Sequence, residues 1–275
     1  MPKTAGWEPS KDIRADPTQS IWIEEDTLPP LKKVWKRYAK EVLALVESGK
    51  IPREKKNIIG VGPLAPLPLA EIARYLPMLG ESFIDEGKLV TEVMLKDSVA
   101  HGQDFAAEQL SRVTGNRFER GHISEELVDT LTQLDVSALK GITDEMNKQI
   151  IFEIGEGMQA GEGTYKITER IDGVLKEGWR RAETIVRTES IRAITEASRE
   201  RYMKDQVKLV ELISCNGPRT CDACISMHGD IAEVGGAGFK DGWPPFHPNC
   251  RCAIAPVIPG LYDGPHKEDV EHWFD

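Results

Sequence analysis

The chain has 275 residues, 40% of them hydrophobic and 29% charged, with a net charge of −10. That apolar content excludes a wholly disordered chain, and the length accommodates about two compact units. The overall acidity speaks against a free-standing nucleic-acid binder. The longest charge-free stretch, Asn57–Ala70, is broken by Pro63, Pro66 and Pro68 and is too short to span a bilayer.

Residues 1–28 are polar and acidic, with Trp7 and Trp22 as isolated aromatics, and read as an extended arm. No apolar run precedes Trp7, so no secretory signal is read and a cytosolic origin is expected. Residues 29–80 form a basic helix followed by an irregular connection. Pro29–Pro30 precede a helix over Leu31–Ser48, with Gly49 as its stop signal and Leu31, Val34, Trp35, Tyr38, Val42, Leu45 and Val46 at helical spacing. The Pro- and Gly-rich run Ile51–Pro77 is expected to hold at most one short helix, Leu69–Tyr75.

Charge is uneven along the chain. Between Lys32 and Lys56 stand nine basic residues and only Glu41, Glu47 and Glu54; from Gln206 onward five basic residues face ten acidic ones. The basic stretch, with Lys32, Lys33, Lys36, Arg37 and Lys40 at its head, is either a solvated helix face or a contact for an acidic partner or DNA phosphates.

Residues 81–205 read as a helical domain. Asp104 is expected to cap a helix that runs to Thr114, with Gly115 beyond its end. Leu127, Leu131, Leu134 and Ala138 form a further stripe. Thr143 is expected to cap a helix burying Met146, Ile150, Ile154 and Met158, which the Gly155–Gly163 stretch ends. After Ile167, Ile171, Val174 and Leu175, Gly178 precedes a last helix, Trp179–Lys204. Its apolar stripe is Ala182, Val186, Ala193 and Ala197, and Glu189 falls on that stripe. A carboxylate there needs a partner. Arg192 one turn on or Arg187 can supply it; alternatively Glu189 anchors the C-terminal module or a neighbouring chain.

After Lys204 the texture changes. Val207–Ser214, His228–Val234 and Ala253–Ile258 read as short strands, and Gly235–Gly242 as a glycine loop. Residues 206–260 therefore read as a small α+β module with little core of its own, and 261–275 as a tail. The expected fold is mainly α in its N-terminal and central regions with this metal-stapled module at its C-terminal end.

All five cysteines lie from Cys215 onward, and four form the close pairs Cys221/Cys224 and Cys250/Cys252. The full spacing is Cys221-x2-Cys224-x22-His247-x2-Cys250-x-Cys252. An odd number of thiols without a secretory signal argues against a disulfide scaffold, and paired spacing argues for a metal. Two thiolates two residues apart chelate one zinc through a tight turn, and a second pair closes the tetrahedron. The expected ligands are Cys221, Cys224, His247 and Cys250, with Cys252 as the alternative fourth. Pro244, Pro245 and Pro248 restrict the ligand loop. Cys215 is expected in the core and His228 as a satisfied polar residue. Four protein ligands leave no open position for water, which makes the Zn2+ structural.

No catalytic constellation is read. His101 and His122 lack the x-Glu of a zinc deaminase, and neither a His-Glu-x-x-His, a P-loop nor a Gly-x-Ser-x-Gly occurs. The alternatives are a zinc-module adaptor that binds nucleic acid and a zinc hydrolase or deaminase-type enzyme.

The triplet Arg187-Thr188-Glu189, the run Arg219-Thr220-Cys221-x-x-Cys224, then His228-Gly229, and Pro244-Pro245-Phe246-His247-Pro248-Asn249-Cys250-Arg251-Cys252 together carry a resemblance. They resemble the C-terminal domain of the Mu F-like minor head proteins of tailed phages, the head morphogenesis family, over about Thr168–Val257. The resemblance implies a minor capsid protein in the virion, in the head interior or at the portal vertex, assembled in the host cytoplasm, and the missing catalytic motifs lead to the expectation that it is not an enzyme. It implies docking on the portal protein, contacts with other capsid or scaffold subunits, a role in DNA packaging or ejection through packaged double-stranded DNA, and no membrane.

Overall fold

A computed structural model describes residues 16–48, 69–119, 121–214 and 220–262. Its elements are α1 (Ile21–Ser48), α2 (Leu69–Thr114), α3 (Glu125–Gln159), α4 (Thr164–Lys204), β1 (Leu209–Ile213), α5 (Asp222–Ser226), β2 (Ile231–Glu233) and β3 (Ala253–Val257). The mainly helical architecture with a small C-terminal sheet is as expected. By internal contacts the chain divides into one unit of Asp26–Glu92 with Thr132–Val186, and another of Met1–Glu25, Val93–Leu131 and Arg187–Asp275.

The helices are longer than local signals predict. Helix α1 starts at Ile21 and carries Pro29 and Pro30 inside it, so residues 21–28 are helix rather than extended arm. Asp16 prepares the start: its carboxylate accepts the Ile21 amide at 3.0 Å and the Thr18 hydroxyl at 2.8 Å. Each proline removes a helix hydrogen bond. Burial on both sides of them, at Ile23 and Leu31, opposes that loss; a buried aliphatic side chain contributes about 1.5–3 kcal/mol. Similarly, α2 runs from Leu69 through Pro77 to Thr114, so Asp104 lies inside it rather than at a helix start. Ile72, Leu76, Leu79 and Phe83 are buried around Pro77 and hold that turn in place. Most of the Pro-rich connection lies outside the described residues.

Thr143 is likewise interior to α3, where its hydroxyl donates to the Leu139 and Lys140 carbonyls. The cap is Ser124, whose hydroxyl oxygen accepts the Leu127 amide at 3.2 Å. The buried face of α3 runs through Val128, Leu131, Leu139, Ile142, Met146, Ile150 and Ile154; Leu134 and Met158, expected inside, are exposed. Helix α4 starts at Thr164, so Gly178 does not break it.

In the first unit four helices surround one core. Trp35 of α1 stacks edgewise on Phe83 of α2 at 5.1 Å and meets Trp179 of α4 at 6.0 Å. The Tyr38 hydroxyl reaches Asn147 Oδ1 on α3 at 3.5 Å. Gly178 is a packing residue: a Cβ there would stand 2.1 Å from Met146 Sδ and 2.8 Å from Trp35 Cη2.

The second unit is built on a three-stranded antiparallel sheet of order β2-β1-β3. Val210 pairs with Ala232 and Pro256, and Leu212 with Ile254. Strand alternation gives the sheet two apolar faces. Leu209, Val257, Ile231 and Tyr262 share one small cluster. Val210, Leu212, Ala232 and Ile254 share the other with Ala106 and Leu110 of α2, Tyr202 of α4, and Cys224, Cys250 and Cys252. The sheet module thus borrows helical side chains for its core, and no core boundary falls at the expected 205/206 division. Where α2 and α4 approach within this unit, a Cβ on Gly102 would fall 2.5 Å from the Ile194 carbonyl oxygen. Gln103 donates there to the Ala197 carbonyl (3.0 Å), and Ser198 donates to that of Gly102 (3.0 Å).

Candidate metal centre

The Cys-x-x-Cys turn owes its shape to helix capping. Cys221 is the N-cap of α5, with extended backbone (φ −76°, ψ 155°), and its sulfur accepts the Cys224 amide at 3.4 Å. An N-cap and the residue three further on face each other across the first turn. Both thiols therefore meet beside one turn of helix.

His247 reaches the same spot from the proline-flanked loop. Its Nε2 lies 3.1 Å from Cys224 Sγ and 3.3 Å from Cys221 Sγ. Its Nδ1 stands 2.9 Å from the Pro248 carbonyl oxygen. With the proton on Nδ1 donated to that carbonyl, the Nε2 lone pair faces the thiols, as a metal ligand requires. Cys250 ends a tight turn in which its amide donates to the His247 carbonyl at 3.1 Å. Two residues on, Cys252 leads into β3, and Cys250, Cys252 and Ile254 join the same buried cluster.

Two triads result, Cys221–Cys224–His247 and Cys224–Cys250–Cys252, and in each the ligand atoms lie within 4.8 Å of one another. Cys224 belongs to both. A zinc–sulfur bond of about 2.3 Å places two tetrahedral ligands about 3.8 Å apart, so the spacing within each triad is compatible with an ion. Cys221, Cys224, Cys250 and Cys252 are all free thiols. Of the expected ligands, Cys221, Cys224 and His247 fall in one triad, and Cys250 falls in the other with Cys224 and the alternative Cys252.

Within each pair one thiol is pulled down and its neighbour pushed up. The Cys224 amide, donating to its sulfur, lowers Cys221, while burial pushes Cys224 up to about 12. The Cys252 thiol, donating to Cys250, brings that residue down to about 5; holding that proton raises Cys252. Burial alone would lower His247, but the Pro248 carbonyl and the Cys250 and Cys221 thiolates outweigh it and raise it. Cys221 and Cys250 are the readier thiolates, one in each pair, and thiolate is the form a cation binds.

Surrounding residues fix the ligand loop. Asn249, at φ 60°, donates its amide to the Thr188 hydroxyl oxygen at 3.1 Å. Arg251, between Cys250 and Cys252, pairs with Glu24 at 3.6 Å, and Arg187 pairs with the other oxygen of Glu24 at 3.2 Å. Glu24 is 7% exposed. Sequence reasoning missed this carboxylate, which sits in the acidic run Glu24-Glu25-Asp26 with no spacing to mark it. Glu189 pairs with Arg192 at 2.8 Å, the helix-face ion pair that was one of its two expected readings. His228 is satisfied: its Nδ1 accepts the Ser214 amide at 3.2 Å. Cys215 lies outside the described residues.

The basic residues sit on α1. Arg37 pairs with Glu86, and Lys32 lies over the Trp179 ring, 5.5 Å from its centroid. Lys33, Lys36 and Lys40 are exposed. Among the described residues no helix is long and apolar enough to cross a membrane.

A small sheet braced by long helices and carrying a Cys/His cluster that could hold a metal ion is in keeping with the motif resemblance. Residues 148–255 match the family model described as Phage Mu protein F like protein, so over that stretch the chain is similar to that family. Comparison with curated proteins and with solved structures gave no match.

Proposed function

We propose that the chain is a minor capsid protein of a tailed phage that docks on the portal protein during head assembly, with a structural Zn2+ in its Mu F-like domain. The two triads that share Cys224, Cys221–Cys224–His247 and Cys224–Cys250–Cys252, lie inside the matched stretch and support this reading. Cys252 then stands behind Cys250 as a hydrogen-bond donor rather than as a ligand. Three thiolates and one imidazole saturate a tetrahedral zinc, leaving no site for a reacting water, so the centre holds shape and the protein is not an enzyme. In small zinc domains such binding contributes folding free energy on the order of 10 kcal/mol, which suits a three-stranded sheet.

Lys33, Lys36 and Lys40, spaced to share one face of α1, offer cations to an acidic portal or capsid surface or to packaged DNA. Co-purification with the cognate portal subunit tests the reading. The full chain should be retained, and Glu at Lys33, Lys36 and Lys40 together should weaken retention. Retention of neither chain would refute portal docking; unchanged retention of the variant would return these lysines to a solvated face.

A further inference from the structure

We propose that metal loading and docking of the segment Asp16–Glu25 are one coupled event, transmitted by Glu24. The inference rests on the metal reading above and assigns it a regulated partner within the chain itself. Glu24 is the point where three parts of one unit meet. Its two carboxylate oxygens take Arg187 of α4 at 3.2 Å and Arg251 of the ligand loop at 3.6 Å. Arg251 is covalently flanked by Cys250 and Cys252, so its position and theirs cannot be set independently. One residue before Cys250, the Asn249 amide is held by Thr188, next to Arg187 on α4. The ligand loop is therefore pinned on both sides of Cys250, and Glu24 closes one of the two pins.

The segment that carries Glu24 has a second attachment. The Thr18 carbonyl oxygen stands 2.7 Å from His101 Nε2 on α2, and the Trp22 ring meets the His101 ring edge-on at 5.9 Å. Asp16, Thr18, Gln19, Ser20 and Ile23 are buried, so the segment lies down along its length rather than touching only through Glu24. Without the carboxylate, the Arg187 and Arg251 guanidiniums face each other uncompensated, and their repulsion pushes Arg251 out of register with its flanking cysteines. With the loop drawn onto a metal, Arg251 is held where Glu24 needs it. Whatever the segment contributes to metal affinity, the metal must return to the docked segment, because binding linkage is reciprocal.

Two measurements on the full chain test the coupling. The first is the zinc dissociation constant, by competition with a chromophoric chelator, for wild type, Glu24→Gln and the neighbouring control Glu25→Gln. Glu24→Gln should weaken zinc binding by roughly tenfold, the lower end of what loss of a supporting contact costs, and Glu25→Gln should leave it unchanged. The second is amide hydrogen exchange over residues 16–25 of the wild type with and without zinc, which needs no variant to fold. Protection of that segment should fall on zinc removal. Equal zinc affinity in wild type and Glu24→Gln, with exchange indifferent to zinc, would overturn the coupling and leave the metal centre standing. A wild-type chain that takes up no zinc would overturn the metal reading, and the coupling with it.

Discussion

Cys224 Sγ lies 3.1 Å from Nε2 of His247, although they stand 23 positions apart in the chain. This contact joins the two halves of the cysteine pattern, because Cys224 also groups with Cys250 and Cys252. Cys224 is therefore the residue on which the centre turns, more than the half-exposed Cys221.

Serine substitution at each donor should reveal that ranking. Cys224→Ser should abolish stoichiometric zinc and lower the unfolding temperature most, because it breaks both triads. Cys221→Ser, His247→Ala and Cys250→Ser should each lower occupancy, and Cys252→Ser should retain the ion with weaker binding. Elemental analysis of the purified variants checks this. Full occupancy in Cys224→Ser would dismiss the shared-thiol geometry.

Two glycines predict opposite signs. At Gly102 a Cβ would meet the Ile194 carbonyl oxygen at 2.5 Å and the Ala197 Cβ at 2.8 Å, both on a packed helix that cannot step aside. Gly102→Ala should cost about 1–3 kcal/mol through overpacking. Gly141 lies within α3 with nothing within 4 Å of the added carbon. Gly141→Ala should stabilise by about 0.5–1 kcal/mol through helix propensity and chain entropy. Urea unfolding midpoints of the pair distinguish packing from propensity.

Acidification should destabilise the fold through His101. Burial holds its pKa below the ordinary value of 6.5, prevailing over the Thr18 carbonyl and the Asp16, Asp104 and Glu108 charges that pull the other way. The unfolded chain therefore takes up this proton more readily than the folded one. The contribution is complete above about 6.5 and is lost as pH falls through the lower folded value. His101→Gln should show a shallower loss of stability between about pH 7 and 5; a slope identical to wild type would assign acid sensitivity to other groups.

The aromatic centre of the four-helix unit should be its most sensitive point. Phe83 is 2% exposed and meets both Trp35 and Tyr38. Phe83→Ala should cost about 3–5 kcal/mol, read as a loss of thermal stability, while the zinc content stays at the wild-type value. Loss of zinc in this variant would contradict the separate cores described above.

Much was legible in the order of residues alone. Chemistry tied to short spacing survives translation into structure: two thiols two residues apart on a capped turn, a proline-flanked imidazole, and alternating apolar residues in Leu209–Ile213 and Ala253–Val257 each depend on neighbours within a few positions. These local patterns were enough to point to the candidate metal donors, the strands and the family resemblance. Helix limits were less legible. Pro29, Pro30, Pro77 and Gly178 all read as interruptions, yet the helices run through them, because burial of Ile23, Leu31, Phe83 and Trp35 outweighs the local penalty. Only the tertiary structure could decide that Glu24, more than 200 residues from Arg251, supplies its counter-ion, and that the sheet takes its core from Ala106, Leu110 and Tyr202. Contacts between distant residues leave no periodic trace in the chain, since they are set by packing and charge pairing after the helices have formed.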